Sequence, residues 1–404
     1  MPSVPAGPSD RVSKAVARYL ATFAADECEA ALHCCGDRQF SHAVIVPCYA
    51  ESPRFFERLI GGPLWTAGRL VVCVINEPDT GAVRGASAPL LEYFGRWPTA
   101  AGVGHVQLKT GPRREPLLLI DRSAARLPRR EGVGAARKIG ADAALALWAR
   151  GRLRCPWLYN TDADATLPHN YFAPLAGRGA RLFEFCHRPC GDAAVDSATR
   201  RYERAIRYFA RGLAYAGSPY AYVSLGSALA VHAMDYARVR GFPRRAGGED
   251  FYLLNKINKI APVTGVPAIV IGLDSRLSQR APFGTGAKVQ QLLDEPASYP
   301  YFQPAIFERL REFLCAAERG APAEDALHPA LAAALEQIDY GALLHLWRAP
   351  GGVSHADRFK QWFDGFRTLR LLQALTRANY PLVALEAAIA AAPFNLATLE
   401  RPPC

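Results

Sequence analysis

The sequence predicts an α/β protein, with a mainly parallel central sheet flanked by helices and a helical C-terminal region. Three observations predict it. Short, nearly continuous apolar runs at 42–47, 70–75 and 117–120 each stop at a polar cluster. Such unbroken runs suit strands covered on both faces, as in parallel sheets. Helical patterns alternate with these runs, which is the signature of strand–helix–strand units. Beyond about residue 300 the strand-like runs vanish, and Ala/Leu-rich helical patterns follow.

Residues 10–35 read as one helix, with Asp10 as a candidate N-cap and Val12, Val16, Leu20 and Phe23 as its apolar stripe. His42 to Pro47 reads as a buried strand ending in Cys48-Tyr49-Ala50-Glu51. A helix carrying Phe55, Phe56, Leu59 and Ile60 inward follows it. Leu70 to Ile75 is a second strand, ending in Asn76-Glu77-Pro78-Asp79, and Leu117 to Ile120 is a third, stopping at Asp121. Residues 133–150 predict a helix, since Ala136, Ile139, Ala143 and Leu147 recur at helical spacing. A strand then leads into Thr161. Residues 196–216 predict another helix, with Tyr202, Ile206, Phe209 and Leu213 on one stripe and Arg200, Arg204, Arg207 and Arg211 near a second. The arginine row reads first as a solvated face, with an anionic surface as the sharper alternative. Four further helical patterns occupy 303–318, 323–338, 354–377 and 381–392. The resulting division is an N-terminal helical segment (1–37), a sheet domain (38–295) and a helical C-terminal region (296–404).

The 404 residues include 48 Lys+Arg against 37 Asp+Glu, a net charge of +11 that favours anionic partners. No basic–aromatic or helix-turn-helix pattern appears, so nucleic acid is not among the expected partners. Ten cysteines at irregular spacing, several within apolar runs, fit buried free thiols in a reducing compartment. The clusters His33-Cys34-Cys35 and Cys186-His187-x-x-Cys190 lack paired Cys-x-x-Cys spacing for zinc. The N-terminus carries no signal-like apolar core, and no run approaches the ~20 residues that span a bilayer. A cytoplasmic location is expected, and the charge is compatible with peripheral contact at the inner face of a membrane.

The most informative stretch is Trp157-Leu-Tyr-Asn-Thr-Asp-Ala-Asp164. In an extended segment alternate side chains point the same way. Asp162 and Asp164 could then converge on one hard cation, which keeps waters and takes oxygens from a substrate phosphate. The alternative is an acidic strand-to-turn corner. A second acidic pair, Glu249-Asp250, follows Gly247-Gly248 at a predicted helix start, where the helix dipole favours negative charge. It reads as a helix cap or as a general base that takes the proton of an acceptor hydroxyl. Downstream, Arg276, Arg280 and Lys288 surround Gly284-Thr285-Gly286, a turn whose amides and arginine forks suit phosphate oxygens. Arg276 could instead pair with Asp274. Gly132-Val-Gly134-Ala-Ala-Arg137 imitates a dinucleotide fingerprint, but Arg137 stands where a third small residue is required.

Taken in order, these pieces resemble the glycosyltransferase family 2 catalytic domain, which has the GT-A fold, over roughly residues 40–290. The carriers are Ala43 to Glu51, Gly132 to Ala141, Thr161-Asp162-Ala163-Asp164, and Gly226 to Val231 followed by Arg240-Gly-Phe-Pro243 and Glu249-Asp250. The resemblance implies a nucleotide-diphosphate sugar donor, a divalent metal (Mn2+ or Mg2+) and inversion at the anomeric carbon. It implies Asp164 as metal ligand, Asp162 near the ribose or metal, Asp250 as base and Glu249 in support. It implies a donor pocket lined by Pro47, Tyr49, Glu51, Asn76, Arg137 and the Asp162-Ala163 segment. The Ser275–Lys288 loop is not a general family feature, and Arg276 and Arg280 are expected on the donor's diphosphate or an anionic acceptor from the basic turn alone. The sequence departs from the family at Ala50, where Asn is frequent, and at Asn76-Glu77, where an acidic pair is usual. The acceptor, a lipid or a glycan, is not implied. The competing readings are a nucleotidyltransferase on a similar sheet and a non-catalytic binder of sugar nucleotides or anionic lipid.

Overall fold

A computed structural model describes residues 13–399, apart from 63, 67, 82–83, 278–284, 296–298, 321–326, 349–353 and 398. In chain order the first elements are α1 (Lys14–Thr22), α2 (Glu27–Cys35), β1 (His42–Cys48), α3 (Pro53–Ile60), β2 (Arg69–Pro78) and α4 (Ala88–Gly95). There follow β3 (Thr99–Val103), β4 (Val106–Thr110), β5 (Pro116–Leu127), α5 (Gly132–Ala149), β6 (Trp157–Asn160), β7 (Ala180–Arg188) and α6 (Ala193–Tyr215). Then come β8 (Leu229–His232), α7 (Ala233–Arg238), α8 (Glu249–Asn258), β9 (Val263–Asp274) and α9 (Thr285–Asp294). The last are β10 (Pro300–Tyr301), α10 (Ala305–Glu318), α11 (Pro329–Glu336), α12 (Tyr340–Arg348), α13 (His355–Trp362), α14 (Gly365–Ala378), β11 (Val383–Ala384) and α15 (Leu385–Ala390).

The chain divides into two compact units. The first comprises 1–188 and 224–284, and the second 189–223 and 285–403. The unit boundary therefore places α6 and α9 with the C-terminal helices, earlier in the chain than the change of composition near residue 300.

The first unit is built on one nine-stranded sheet in the order β3-β4-β5-β2-β1-β6-β8-β7-β9. The pairs β2–β5, β1–β2, β1–β6 and β7–β9 are parallel, and β3–β4, β4–β5, β6–β8 and β7–β8 are antiparallel. All strands but β4 and β8 thus run one way. The central strands are fully buried because Val, Ile, Leu and Cys occupy both faces of β1 and β2. Helix α5 covers them; almost all of it is buried, as an apolar, Ala-rich helix must be. Gly140 allows that contact: a Cβ there would lie 2.6 Å from Cγ2 of Ile45.

The predicted first helix is two helices. Ser13, not Asp10, caps α1 by accepting a bond from the Val16 amide, and the chain breaks before α2 so that the Ala25 amide can donate to Asp142 (2.9 Å). Asp10 and Val12 lie outside the described residues. The 354–377 pattern likewise resolves into α13 and α14, split at Phe363-Asp364, where Asp364 caps α14.

The second unit has its own helical core, in which Phe307, Leu310, Phe313, Leu331, Leu371 and Leu375 are fully buried. It also holds a two-residue antiparallel ladder, β10–β11, in the region where no strand was expected. Residues 285–288, read from sequence as part of a phosphate-binding turn, open α9 instead; Lys288 bonds Gln291 within that helix (3.0 Å).

Candidate functional site

The site residues gather beyond the carboxyl ends of β1, β2 and β6, the edge at which open α/β sheets bind ligands. β6 ends at Asn160 and the chain turns at once, closed by the Ala165 amide donating to the Asp162 carbonyl (3.2 Å). Asp162 and Asp164 are therefore on a turn, not on an extended strand. The two carboxylates pair with different arginines, while Asp162 also acts electrostatically on Asp164. Nη2 of Arg137 donates to Asp162 (2.6 Å), and Nε of Arg276 donates to Asp164 (2.7 Å). Ala163 between them is fully buried, which fixes the turn against the core.

Arg137 projects from α5 and is only 3 % exposed. Its Nε donates to Glu249 at 2.8 Å, so one guanidinium ties the Asp162 turn to the first residue of α8. Gly226 makes room for it: a Cβ there would stand 2.6 Å from Nη2 of Arg137 and 2.8 Å from its Cζ. The N-terminal end of α5 is held against the loop before α8 in the same way. The Gly134 amide donates to the Arg245 carbonyl (2.9 Å), and a Cβ on Gly134 would meet Pro243 and Arg245 backbone at 2.5–2.8 Å. Helix α8 opens on Gly248, whose φ of 70° is a left-handed value that suits glycine.

Burial pushes the Glu249 carboxyl up to about 7; neighbouring Asp250 adds to this and Arg137 opposes it. Asp250 keeps part of its surface accessible, yet the protein packed around its carboxyl raises it too, against the Phe251 amide that donates to it at 2.7 Å. Asp164 is pushed up to about 6, chiefly by burial, with Asp162, Glu51 and Asp274 adding negative charge and Arg276 opposing them. Three carboxyls at one edge are thus held above the ordinary range by burial, two of them also by neighbouring acids. Displaced carboxyls that share one cleft edge with a charge partner make that edge a candidate functional site.

Glu51, just beyond β1, is largely buried and accepts a two-pronged contact from Arg276 (2.9 and 3.1 Å). Asp274, the alternative partner for Arg276, is occupied otherwise: Arg58 and Arg188 donate to it at 2.6 and 2.7 Å. Arg58 also donates to the Asp164 carbonyl (2.7 Å). Arg58 and Arg188 were not singled out from sequence, because nothing local distinguishes one arginine among many.

Pro47 is buried in β1, opposite Val74, and Tyr49 is half-buried just past the strand. Ala50 has φ 51°, a left-handed value that costs a β-carbon residue roughly 1–2 kcal/mol. Asn tolerates that region better than Ala. The Ala50 amide donates to Ser87 Oγ (3.2 Å). Asn76 is buried at the end of β2, where the register shifts before Pro78. Glu77 beside it is buried and accepts from the Ser87 amide (3.0 Å) and Arg126 (3.1 Å). Arg280 lies outside the described residues.

No group of three or more His, Cys, Asp or Glu able to hold a metal occurs among the described residues, the two Cys/His clusters included. Eight cysteines are free thiols, whereas Cys186 is disulfide-bonded, contrary to the all-thiol expectation. No described helix is long and apolar enough to cross a membrane.

No family model and no curated protein matches the sequence. Among solved structures, the chain is similar to mannosyltransferase PcManGT from Pyrobaculum calidifontis in complex with GDP-Man and Mn2+. That likeness has 17% identity, covers 84% of this chain and 87% of that one, and has a TM-score of 0.36. It is also similar to GalNAc-T7 with UDP, GalNAc and Mn2+, at 14% identity over 85% of this chain and 58% of that one, with a TM-score of 0.38.

Proposed function

We propose that the protein is a glycosyltransferase that moves a sugar from a nucleotide-diphosphate donor to an acceptor hydroxyl with inversion, assisted by a divalent metal. The observation that carries this reading is the Arg137 bridge. It joins the Asp162 turn to Glu249 at 2.6 and 2.8 Å and so brings two acidic motifs, far apart in sequence, to one sheet edge.

The donor set fits a hard cation in kind. Asp164 and Asp162 offer carboxylate oxygens, and Asp164 already binds a cationic group. Two carboxylates suffice for Mg2+-like ions, which keep waters and take substrate phosphate oxygens. Asp164, with Asp162, would hold the ion. When bound, it would neutralise the charge that develops on the departing diphosphate.

The chain's own residues do the rest. Asp250 accepts the proton of the acceptor hydroxyl as that oxygen attacks the anomeric carbon from the face opposite the diphosphate. A carboxyl raised towards neutrality suits this role, because the best base lies near the working pH. Glu249 and Arg137 position Asp250 and the Asp162 turn. Pro47, Tyr49, Glu51 and Asn76 lie at the two strand ends where the nucleotide would be held. A lipid or glycan acceptor, and contact with an anionic membrane surface, are compatible with the charge.

The test is a panel of sugar nucleotides, each with and without Mn2+, read by melting temperature and by products. A true donor raises the melting temperature through linkage, and in the presence of an acceptor releases a nucleoside diphosphate. Release of pyrophosphate instead would mark a nucleotidyltransferase. Binding without any released product over all donors and acceptors tried would favour a non-catalytic binder.

A further inference from the structure

The segment that leads from α7 through α8 carries more positive charge than its own acids can meet. Arg238, Arg240, Arg244, Arg245, Lys256 and Lys259 stand there against Glu249 and Asp250. Glu249 is taken by Arg137, and Asp250 accepts from the Phe251 amide. Arg238 reaches Asp235 at 3.4 Å but shares it with Arg178, and Arg244 stands 3.9 Å from Glu131. Arg240, Arg245 and Lys256 pair with no acid among the described residues. The Arg240 guanidinium lies over the Phe23 ring, 4.8 Å from its centroid, and that of Arg245 over the Tyr252 ring at 4.0 Å. Lys256 donates to the Val239 carbonyl (3.2 Å), on the peptide that leads into Arg240. Tyr252 and Lys256, four residues apart, share a face of α8. Three cations and two rings thus form one stripe, running Arg245, Tyr252, Lys256, Arg240, Phe23. Both arginines are exposed, and Lys256 and the rings are half-buried. The crowding is felt at Lys256: burial lowers its ammonium, and Arg240 and Lys138 lower it further.

We propose that this stripe docks the protein on an anionic membrane surface. Negatively charged headgroups attract Lys and Arg held close to them, and they would supply the counter-charge that the stripe lacks. Half-buried rings suit the same level, where aromatic side chains sit between water and hydrocarbon. Nucleic acid fits less well. Base stacking needs an open ring face, and each ring here already carries a guanidinium on one face. The inference goes beyond the transfer reading and does not depend on it, since neither the Asp162–Asp164 turn nor a metal takes part. Its failure would leave that reading untouched.

Co-sedimentation of the full-length protein with vesicles tests this. Wild type should bind vesicles of phosphatidylcholine mixed with phosphatidylglycerol, less so as salt rises, and should not bind phosphatidylcholine alone. A triple variant, Arg240→Gln, Arg245→Gln and Lys256→Gln, should lose affinity for the mixed vesicles by roughly ten- to a hundredfold. A control triple, Arg96→Gln, Arg150→Gln and Arg154→Gln, removes the same charge from exposed arginines on other elements and should stay close to wild type. If the first triple does not fold, Arg240→Gln alone should lose about fivefold, since that side chain touches only the Phe23 ring. No binding of wild type to the mixed vesicles overturns the proposal. So does an equal loss in the two triples, which would leave net charge as the whole cause. Displacement by soluble glycerol phosphate would make the stripe a small-anion site instead of a docking surface. Tighter binding to a single-stranded RNA, lost in the first triple alone, would assign the stripe to nucleic acid.

Discussion

Adjacent residues of α5 serve two polar clusters of opposite character. Arg137 points to the sheet edge, between Asp162 and Glu249. Lys138 points to Asp142, one turn on, at 2.8 Å. Asp142 is fully buried and also accepts from the Tyr19 hydroxyl (2.6 Å), the Tyr236 hydroxyl (2.8 Å) and the Ala25 amide (2.9 Å). All four of these groups donate to that carboxylate. Burial raises Asp142 all the same. At the edge burial likewise pushes Glu249 and Asp164 up, to about 7 and 6, but there acids also crowd one another, and the Asp162 side chain is 39% exposed. A saturated cluster has nothing left to offer a ligand, and its contribution is stability. A cluster with surplus acid and open surface stores the capacity to bind or to move protons.

The comparison breaks first on rates. Asp250→Asn keeps the shape of the side chain and removes its basic oxygen, so transfer should fall about 10²–10⁴-fold with donor affinity retained. Single-turnover transfer at saturating donor reads this. Glu249→Gln should cost less, since Gln can still accept from Arg137. A larger loss in Glu249→Gln would exchange the two roles, and wild-type rates in both would reduce the pair to a helix cap.

The saturated cluster should answer in stability. Asp142→Ala leaves Lys138 buried without its carboxylate and two tyrosine hydroxyls without their acceptor, and should cost about 3–5 kcal/mol. Urea unfolding measures it, and any folded fraction should keep its donor affinity. A loss below about 1 kcal/mol would show that the cluster is not what holds α1 and α7 to α5.

How much of this was legible follows from how each signal is written in the chain. β1, β2, β6 and α5 are continuous or strictly periodic apolar runs, and the sequence predicts them closely. β3 is Thr-Ala-Ala-Gly-Val with mostly exposed residues, so neither alternation nor apolarity marks it, and β3 and β4 went unseen. The two acidic motifs were visible because unusual residues interrupt apolar runs. Their geometry was not, because whether Asp162 and Asp164 share a face depends on a turn that hydrogen bonds close after β6 ends. The Asp142 cluster left no local trace at all: its tyrosine partners are 123 and 94 residues away.

A smaller effect tests whether Arg137 is as tightly seated as its two ion pairs imply. Gly226→Ala would place a Cβ 2.6 Å from Nη2 of Arg137. Because Arg137 is buried and held on two sides, it cannot yield without loosening Asp162 or Glu249, and the cost should be about 1–3 kcal/mol with reduced transfer. Gly265→Ala, in β9 with open space at its Cβ, is the control and should change transfer little. Equal behaviour of the two variants would mean that Arg137 moves freely and that the bridge is not what brings the acids together.

The smallest expected effect is the dependence of stability on pH. Glu249 sits at about 7 in the folded protein against an ordinary value of 4.5, because burial penalises its charge. Between those values the folded state holds a proton that the unfolded chain has released. Stability changes with pH in proportion to protons bound unfolded minus protons bound folded, which is negative here. The contribution of Glu249 is therefore fully present below about pH 4.5 and is lost as pH rises through about 7. The slope is at most about 1.4 kcal/mol per pH unit for one proton. Glu249→Gln cannot titrate, so the stability of wild type relative to this variant should fall between pH 5 and 7.5 and level off above. Urea midpoints of the two proteins over that range give the difference directly, and other groups that titrate equally in both cancel. A flat difference would mean that Arg137 keeps Glu249 ionised throughout. A rising difference would reverse the sign, and would make the Arg137–Glu249 pair a stabilising bridge that acid destroys.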